Sequence, residues 1–289
     1  MEQFILRFFK ASLIYLALGA LGGVALAIWP ASSKVFFPAI THLSLIGFIT
    51  QMIIGVTYFI IPVFIKKDIY NKRWALIHFL MVNIGLVGFS LGYAMSWFTV
   101  MKVAAVIEAL SVYFLTVIFM ATVIKGPPVD RSKDPWFAKH CMFLVSESDK
   151  EVDKWATNFT RASMTYYLIG CTMGAMLTLD PIRFYFLRLS HAHINLLGWV
   201  GMMIVGVAYH FLPRFSGVRL NARLVKFNFQ LYQVAFLGLI IMMAMVQYSD
   251  HHIFRHLRIL FAVLEATSLL IFVATIWKAV KPKFCPVYR

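Results

Sequence analysis

The sequence predicts an all-α integral membrane protein with eight transmembrane helices, arranged as two tandem four-helix repeats. Three observations support this fold class. Of the 289 residues, 61% are hydrophobic and only 13% are charged, whereas soluble domains are about half apolar and a quarter charged. Eight apolar runs are long enough to cross a bilayer, which takes about 20 residues. The second half of the chain also repeats many residues of the first half.

The eight runs are uncharged or nearly so, and polar connections separate them. The first run follows Arg7 and Lys10, as a cleaved signal peptide does, but its counterpart in the second half predicts that it is retained. We expect helices at residues 9–28, 40–65, 74–95, 100–124, 162–179, 190–212, 227–246 and 257–280.

The lysine and arginine residues are distributed unevenly between the two sides of these helices. Twenty-one lie on the side of the two termini and six lie on the other side. Because cytoplasmic loops are enriched in Lys and Arg, both termini are predicted to be cytoplasmic. The net charge of +15 lies largely in these loops, which indicates topology signals and contact with anionic lipids rather than a nucleic-acid partner.

The two halves match at residue types that apolar helices do not share by chance. Most matching residues are 151 positions apart, and those of the fourth and eighth helices are 157 apart. Four helices per repeat give both copies the same orientation, related by a pseudo-twofold axis along the membrane normal. The matches include Tyr15 with Tyr166, Gly19 with Gly170, His42 with His193, Gly47 with Gly198, Gly55 with Gly206, Tyr58 with Tyr209, Pro62 with Pro213 and Glu108 with Glu265.

A long polar segment divides the chain into a first repeat, 1–125, a cytoplasmic linker, 126–160, and a second repeat, 161–289. The linker carries both charge signs and contains Pro127-Pro128. The cysteines, Cys141, Cys171 and Cys285, have no C-x-x-C spacing, so we expect neither a disulfide framework nor a thiolate metal site.

Two histidines correspond in the repeats, His42 and His193, and both are predicted within about one turn of the outer end of their helix. Under the pseudo-twofold symmetry, two imidazoles can approach one point from opposite sides. The iron of a six-coordinate haem needs this arrangement. Glycines on the same helices either leave room for a flat macrocycle or allow close helix packing.

His191 has no counterpart, because Ile40 stands at that position of the first repeat. On a helix, residues two apart point in directions that differ by about 200°, so His191 and His193 cannot bind the same metal. His191 is therefore expected to bind a second centre or to donate a hydrogen bond to a propionate or a loop.

The residues around His191 carry a resemblance to a known family. His191-Ala192-His193, with Gly206, His210 and Pro213-Arg214-Phe215-Ser216-Gly217, is similar to the helix that bears the H-x-H motif of the haem-copper oxidase superfamily, which includes cytochrome oxidase and nitric oxide reductase catalytic subunits. The stretch 42–62 resembles the early helix that supplies the other low-spin haem ligand. The resemblance implies that His42 and His193 bind a low-spin b-type haem and that His191 occupies the position of the high-spin haem ligand.

The chain departs from that family in length and in its copper ligands. It resembles a shortened, eight-helix relative without a clear copper site. The only adjacent histidine pair, His251-His252, falls in an outer loop before the eighth helix, where an interfacial polar loop is the alternative interpretation. Copper is therefore not expected.

Other polar residues inside or near the spans are further candidates. Glu108 and Glu265 are the only acids inside predicted spans. Intramembrane acids are functional candidates, so they are expected either to relay protons or to be protonated and hydrogen-bonded to a neighbour. Four outer-face arginines either hold haem propionates or anchor the helices at the interface. They are Arg183, Arg188, Arg255 and Arg258. His78 and His210 are interpreted as structural.

The preferred functional interpretation is a b-type haem protein of a prokaryotic cytoplasmic membrane, with its haem toward the outer face. It would carry electrons between quinol, or a partner subunit, and an outer-side acceptor. One alternative is a nitric oxide or oxygen sensor or reductase with a second haem at His191. Another is a proton-coupled transporter that uses Glu108 and Glu265. No residue set completes a catalytic constellation, so enzyme status is left open, with an electron-transfer oxidoreductase subunit as the favoured class. Homo-oligomerisation is also left open.

Overall fold

The computed structural model describes residues 2–30, 33–130, 133, 149–249 and 251–280, and this part of the chain is almost entirely helical, as predicted. We number the long helices α1 to α8. Both α2 and α6 contain a π-helical segment between two α-helical parts, and a 3₁₀ turn, Tyr185–Leu187, leads into α6. The bounds are Gln3–Ile28 for α1; Ser33–His42, Leu43–Thr50 (π) and Gln51–Ile65 for α2; Lys72–Ala94 for α3; Phe98–Lys125 for α4; Lys150–Leu179 for α5; Arg188–His193, Ile194–Gly201 (π) and Met202–Ser216 for α6; Ala222–Tyr248 for α7; and His252–Val280 for α8.

In the described residues, seven helical stretches are long and apolar enough to cross a membrane, namely every numbered helix except α5. Helix α5 has 30 residues but carries Glu151 and Asp153 in its first turn. The sides of the helices expose many large apolar side chains, for example Leu21, Val117 and Ile241. This architecture is compatible with a multi-pass membrane protein.

Several helices begin earlier than predicted. Helix α1 begins at Gln3 rather than Phe9, and α5 begins at Lys150 rather than Ala162, so residues 150–160 of the predicted linker are helical. The prediction ended each helix where charged residues begin, but a helix continues into water wherever its backbone hydrogen bonds are made. Residues 134–148 of the linker lie outside the described residues, as do Cys285 and the basic residues after Val280.

The chain divides into two compact units. The first unit comprises Met1–Ala138 and Gly174–Leu179, and the second comprises Lys139–Met173 and Asp180–Arg289. In the first unit α1 packs on α2, α2 on α3 and α3 on α4. In the second unit α7 packs on α6 and α8, and α6 also contacts α8. The buried centre of the second unit contains Phe159, Tyr209, Tyr232 and Phe236.

The ends of the helices have clear local causes. Helices α3 and α7 begin after Asn71 and Asn221, whose side-chain oxygens accept hydrogen bonds from the backbone N–H of Arg73 and Arg223 at 2.9 and 3.0 Å, as N-cap residues do. Helix α6 ends at Ser216 and is followed by Gly217, where the backbone has φ +66°, a left-handed conformation that glycine adopts without strain.

Candidate functional site

His42 and His193 lie at the same kind of structural junction in their respective units. Each is the last residue of the first α-helical part of its helix, and an eight-residue π-helical segment follows it directly. π-Helical segments are rare and occur frequently at functional sites. In the second unit this segment is held by Trp199, whose ring stacks on Tyr167 with 4.4 Å between ring centroids.

Both histidines lie deeper in the spans than predicted. His42 is six residues past the start of the apolar span Phe36–Ile65, and His193 is eight residues past the start of the span Tyr185–Ser216, or about 9 and 12 Å along the helix. The prediction placed the starts of these helices at Ile40 and Ser190. Pro38 instead lies inside α2, where its carbonyl bonds to the His42 ring.

The rings of His42 and His193 are fixed in the same way. The Nδ1 atom of His42 lies 2.7 Å from the Pro38 carbonyl oxygen, and that of His193 lies 3.0 Å from the Leu189 carbonyl oxygen. A carbonyl only accepts hydrogen bonds, so Nδ1–H is the donor in both rings, and the basic nitrogen of the neutral imidazole is then Nε2. Metal-binding histidines are usually oriented by such a bond from the other ring nitrogen. The ring of His42 also packs on Phe89, with 4.5 Å between ring centroids.

The glycines of α2 and α6 serve helix packing. A Cβ atom added to Gly47 would lie 2.6 Å from the Tyr15 ring, and one added to Gly198 would lie 2.8 Å from Phe236. Neighbouring helices of the same unit therefore occupy the space beside these glycines. These glycines were predicted either to leave room for a macrocycle or to allow close helix packing, and the structure shows close packing.

His191 has different surroundings from His193. Its Nδ1 atom lies 2.9 Å from the carbonyl oxygen of Gly170 on α5, and the Asn195 side chain donates to the backbone carbonyl of His191 at 2.8 Å. This ring therefore turns toward α5, inside the second unit, whereas the His193 ring bonds within its own helix. In the first unit, Ile40 stands at the position of His191 and Ser44 at that of Asn195.

Glu108 and Glu265 are both buried, with side chains that are 6% and 3% exposed. One carboxyl oxygen of Glu108 and both of Glu265 have no hydrogen-bond partner among the described residues. The hydroxyl of Tyr232 lies beside the Glu265 carboxyl, but it donates to the backbone carbonyl of Leu197 at 3.1 Å. A tyrosine hydroxyl thus lies beside Glu265, but the structure does not make the predicted hydrogen bond between them.

The four arginines lie near the ends of α6 and α8. Arg183 packs on the Phe184 ring at 5.5 Å, and Arg188 is the first residue of α6. Arg255 is exposed in the first turn of α8, and Arg258 is partly buried one turn later. Their positions at helix ends suit both anchoring and the binding of an anionic group.

The His251 and His252 rings stack with 4.6 Å between centroids, and His256 lies 6.2 Å from His252. All three are exposed. In the described part of the chain, no three His, Cys, Asp or Glu residues form a group suited to a metal ion.

One charged cluster was missed by the sequence analysis, which interpreted His210 as structural. Asp153 accepts two hydrogen bonds from the Arg214 guanidinium, at 2.9 and 2.7 Å. The Nδ1 atom of His210 lies 2.9 Å from the same carboxylate. The spacing of His210 and Arg214 by one helical turn was an available signal, but Asp153 stood in the predicted linker, so no pairing was expected.

Comparison with known proteins adds nothing to this geometry: no protein-family model matches the chain, and no curated protein sequence matches it.

Proposed function

We propose that this chain is a b-type haem protein whose axial ligands are His42 of the first unit and His193 of the second. The observation that carries this proposal is the shared geometry of the two rings. Each stands directly before a π-helical segment, with Nδ1 bonded to the carbonyl four residues earlier. Both rings are thereby prepared to offer Nε2 to a metal.

The residues fit a haem on chemical grounds. Two neutral imidazoles are a common axial pair for a b-type haem, and an apolar shell around the site tunes its potential. A bound haem supplies one-electron exchange, and this chain's own residues orient the ligands and exclude water. Arg183, Arg188, Arg255 and Arg258 are the proposed partners of the propionates, because guanidinium groups suit carboxylates.

The proposed activity is electron transfer across part of a prokaryotic cytoplasmic membrane, between quinol or a partner subunit and an acceptor on the outer side. The proposal includes the finer architecture, in which the units are parallel repeats and both termini are cytoplasmic. Support comes from the matched residues and from the uneven distribution of Lys and Arg over the two sides of the helices.

The experiment is a reduced-minus-oxidised visible spectrum of the purified protein, with a pyridine haemochrome count. We expect one b-type haem per chain, and a loss of about tenfold or more of bound haem in His42→Ala and in His193→Ala, since even indirect partners of metal ligands contribute about 10- to 100-fold to affinity. His251→Ala is the matched control, because this exposed histidine should leave the spectrum unchanged. A full bis-histidine spectrum in His42→Ala would contradict the assignment of His42 as an axial haem ligand.

A second candidate function is gas binding or reduction at a second haem held by His191. The observation that favours it is the Nδ1 contact of His191 with the Gly170 carbonyl, which makes Nδ1–H the donor in this ring as in the other two. His191→Ile, which copies Ile40 of the first unit, should then abolish any spectral change caused by carbon monoxide and retain the His42–His193 haem. A reduced haem that does not respond to carbon monoxide eliminates this candidate.

A third candidate, proton-coupled transport, is favoured by the buried carboxyls of Glu108 and Glu265. It predicts purified protein without haem, together with a proton flux into vesicles that Glu265→Gln abolishes. Stoichiometric haem would count against it.

A further inference from the structure

Two lysine ammoniums from different helices converge on the ring of Trp155 in the second unit. The Nζ atom of Lys154 on α5 lies 5.7 Å from the centroid of this ring, and the Nζ atom of Lys226 on α7 lies 5.6 Å from it. The ring is partly buried and packs on Phe229, with 5.6 Å between ring centroids. The indole face attracts both cations, and their exposed stems let both reach the same further ligand.

The charge around this ring is positive. Lys154 pairs with Glu151 at 3.8 Å, but these two side chains are 60% and 63% exposed, and such exposed pairs contribute little. No carboxylate of the described residues forms an ion pair with Lys226, and the first turn of α7 contains no acidic residue. The nearby Asp153 is already bound by Arg214. The surroundings of the ring therefore suit an anion.

The position of the ring along α7 indicates which kind of anion it suits. Helix α7 has 27 residues and is about 40 Å long, whereas the hydrocarbon core of a bilayer is about 30 Å thick. When α7 crosses a bilayer, its ends therefore lie among the lipid headgroups. Lys226 is the fifth residue of α7, about 6 Å from its start, so it lies at the boundary between headgroups and acyl chains. Tryptophan is enriched at this level, and lysine stems extend from it toward charged headgroups.

The first unit lacks this cluster. The residues 151 positions before the first two members of the cluster, and 150 positions before the third, are Gln3, Phe4 and Leu76. None of these side chains carries a charge. The repeated helix packing therefore forms without the two lysines, which leaves them available for a ligand.

We propose that Lys154, Trp155 and Lys226 form a binding site for an anionic phospholipid at this end of α7. The two ammoniums bind the phosphate oxygens, and the indole N–H, which only donates hydrogen bonds, binds an oxygen of the phosphate or of the glycerol esters. The acyl chains lie along the exposed apolar side of α7, which includes Phe227 and Val234. This is one defined site within the general lipid contact that the basic loops predict, and it does not depend on the proposed haem.

The experiment is native mass spectrometry of the full chain in detergent, titrated with phosphatidylglycerol and, separately, with phosphatidylcholine of the same acyl chains. We expect the first phosphatidylglycerol to bind more tightly than phosphatidylcholine. Lys154→Gln and Lys226→Leu, which copy the first unit, should each weaken the binding of phosphatidylglycerol about fivefold, since each basic residue near anionic headgroups contributes about that factor.

Lys72→Gln is the matched control. It removes one positive charge from the corresponding end of α3, where Lys72 is already paired with Glu2 at 2.7 Å, so lipid binding should not change. Lys226→Arg keeps the charge and should keep the binding, which separates the loss of a ligand contact from a loss of folding.

Equal binding of phosphatidylglycerol by the wild-type chain and by the Lys154→Gln/Lys226→Leu double variant would overturn the site, as would equal binding of the two lipids. Displacement of phosphatidylglycerol by the same concentration of inorganic phosphate would show that the site takes a free anion, and would overturn the lipid as its occupant.

Discussion

The two units share a set of aromatic contacts but differ in their buried polar groups. In the first unit, Phe8 lies 5.6 Å from Tyr58 and 5.1 Å from Phe79, between ring centroids. In the second unit, Phe159 lies 5.8 Å from Tyr209 and 5.1 Å from Phe229. Tyr58 and Tyr209 are 151 positions apart in the chain, and Phe79 and Phe229 are 150 positions apart. These aromatic contacts are therefore nearly the same in the two units.

The buried polar residues of the two units are different. Tyr58 bonds with His78 in the first unit, whereas Tyr209 donates to Asn228 in the second. Among the described residues, only the second unit has His191, the Asp153–Arg214 pair and a tyrosine beside its buried glutamate. Shape complementarity constrains the apolar contacts, while polar groups can change wherever a partner remains within reach. The two units therefore share aromatic contacts but not their buried polar contacts.

The largest expected difference concerns two acids at matching positions, Asp153 and Glu2. Asp153 binds an Arg214 side chain that is 6% exposed, so Asp153→Ala leaves a buried guanidinium without its carboxylate and should destabilise the fold by about 3 to 5 kcal/mol. Glu2 pairs with Lys72, whose side chain is 48% exposed, so Glu2→Ala should cost about 1 kcal/mol or less. Thermal unfolding in detergent, followed by circular dichroism, measures both. Equal losses of stability in the two variants would mean that the Asp153–Arg214 pair is as well solvated as the Glu2–Lys72 pair.

A smaller difference is expected at Gly206 and Gly55. A Cβ at Gly206 would lie 2.9 Å from the Ala156 backbone oxygen, whereas the nearest contact at Gly55 is the Phe9 ring at 2.7 Å. A ring can rotate, whereas a helix backbone cannot. Gly206→Ala should therefore lower the free energy of unfolding more than Gly55→Ala does, within the range of about 1 to 3 kcal/mol that overpacking causes. The same unfolding assay decides the order, and a greater loss in Gly55→Ala would contradict this comparison.

The smallest effect is expected from exchanging the partners of the two tyrosines. His78→Asn should change stability by about 1 kcal/mol or less, because Asn228 already makes the same bond to Tyr209 and the Nε2 atom of His78 has no partner among the described residues. Asn228→His should cost more, since Asn228 also donates to the Ser268 carbonyl at 2.7 Å. A His78→Asn variant less stable than Asn228→His would show that the two pockets differ in shape.

Much of the fold was predictable from residue types and their spacing. Long apolar runs require helices in a bilayer, because the backbone must satisfy its own hydrogen bonds there. Over the described residues the structure has eight long helices in the predicted order, of which seven are long and apolar enough to cross a membrane, and charged flanks account for the early starts of α1 and α5. The parallel orientation of the repeats, the cytoplasmic termini and the haem remain predictions.

The candidate site was predictable only in part. His42 and His193 stood out because a histidine inside an apolar run needs a polar partner, and because the two correspond in register. Composition and spacing alone determined which residues are candidates. The π-helical segments, the Nδ1 bonds to Pro38 and Leu189, and the Tyr232 hydroxyl beside Glu265 required the tertiary structure. Hydrogen-bond geometry depends on how neighbouring turns and helices meet, and no periodicity in the sequence encodes it directly.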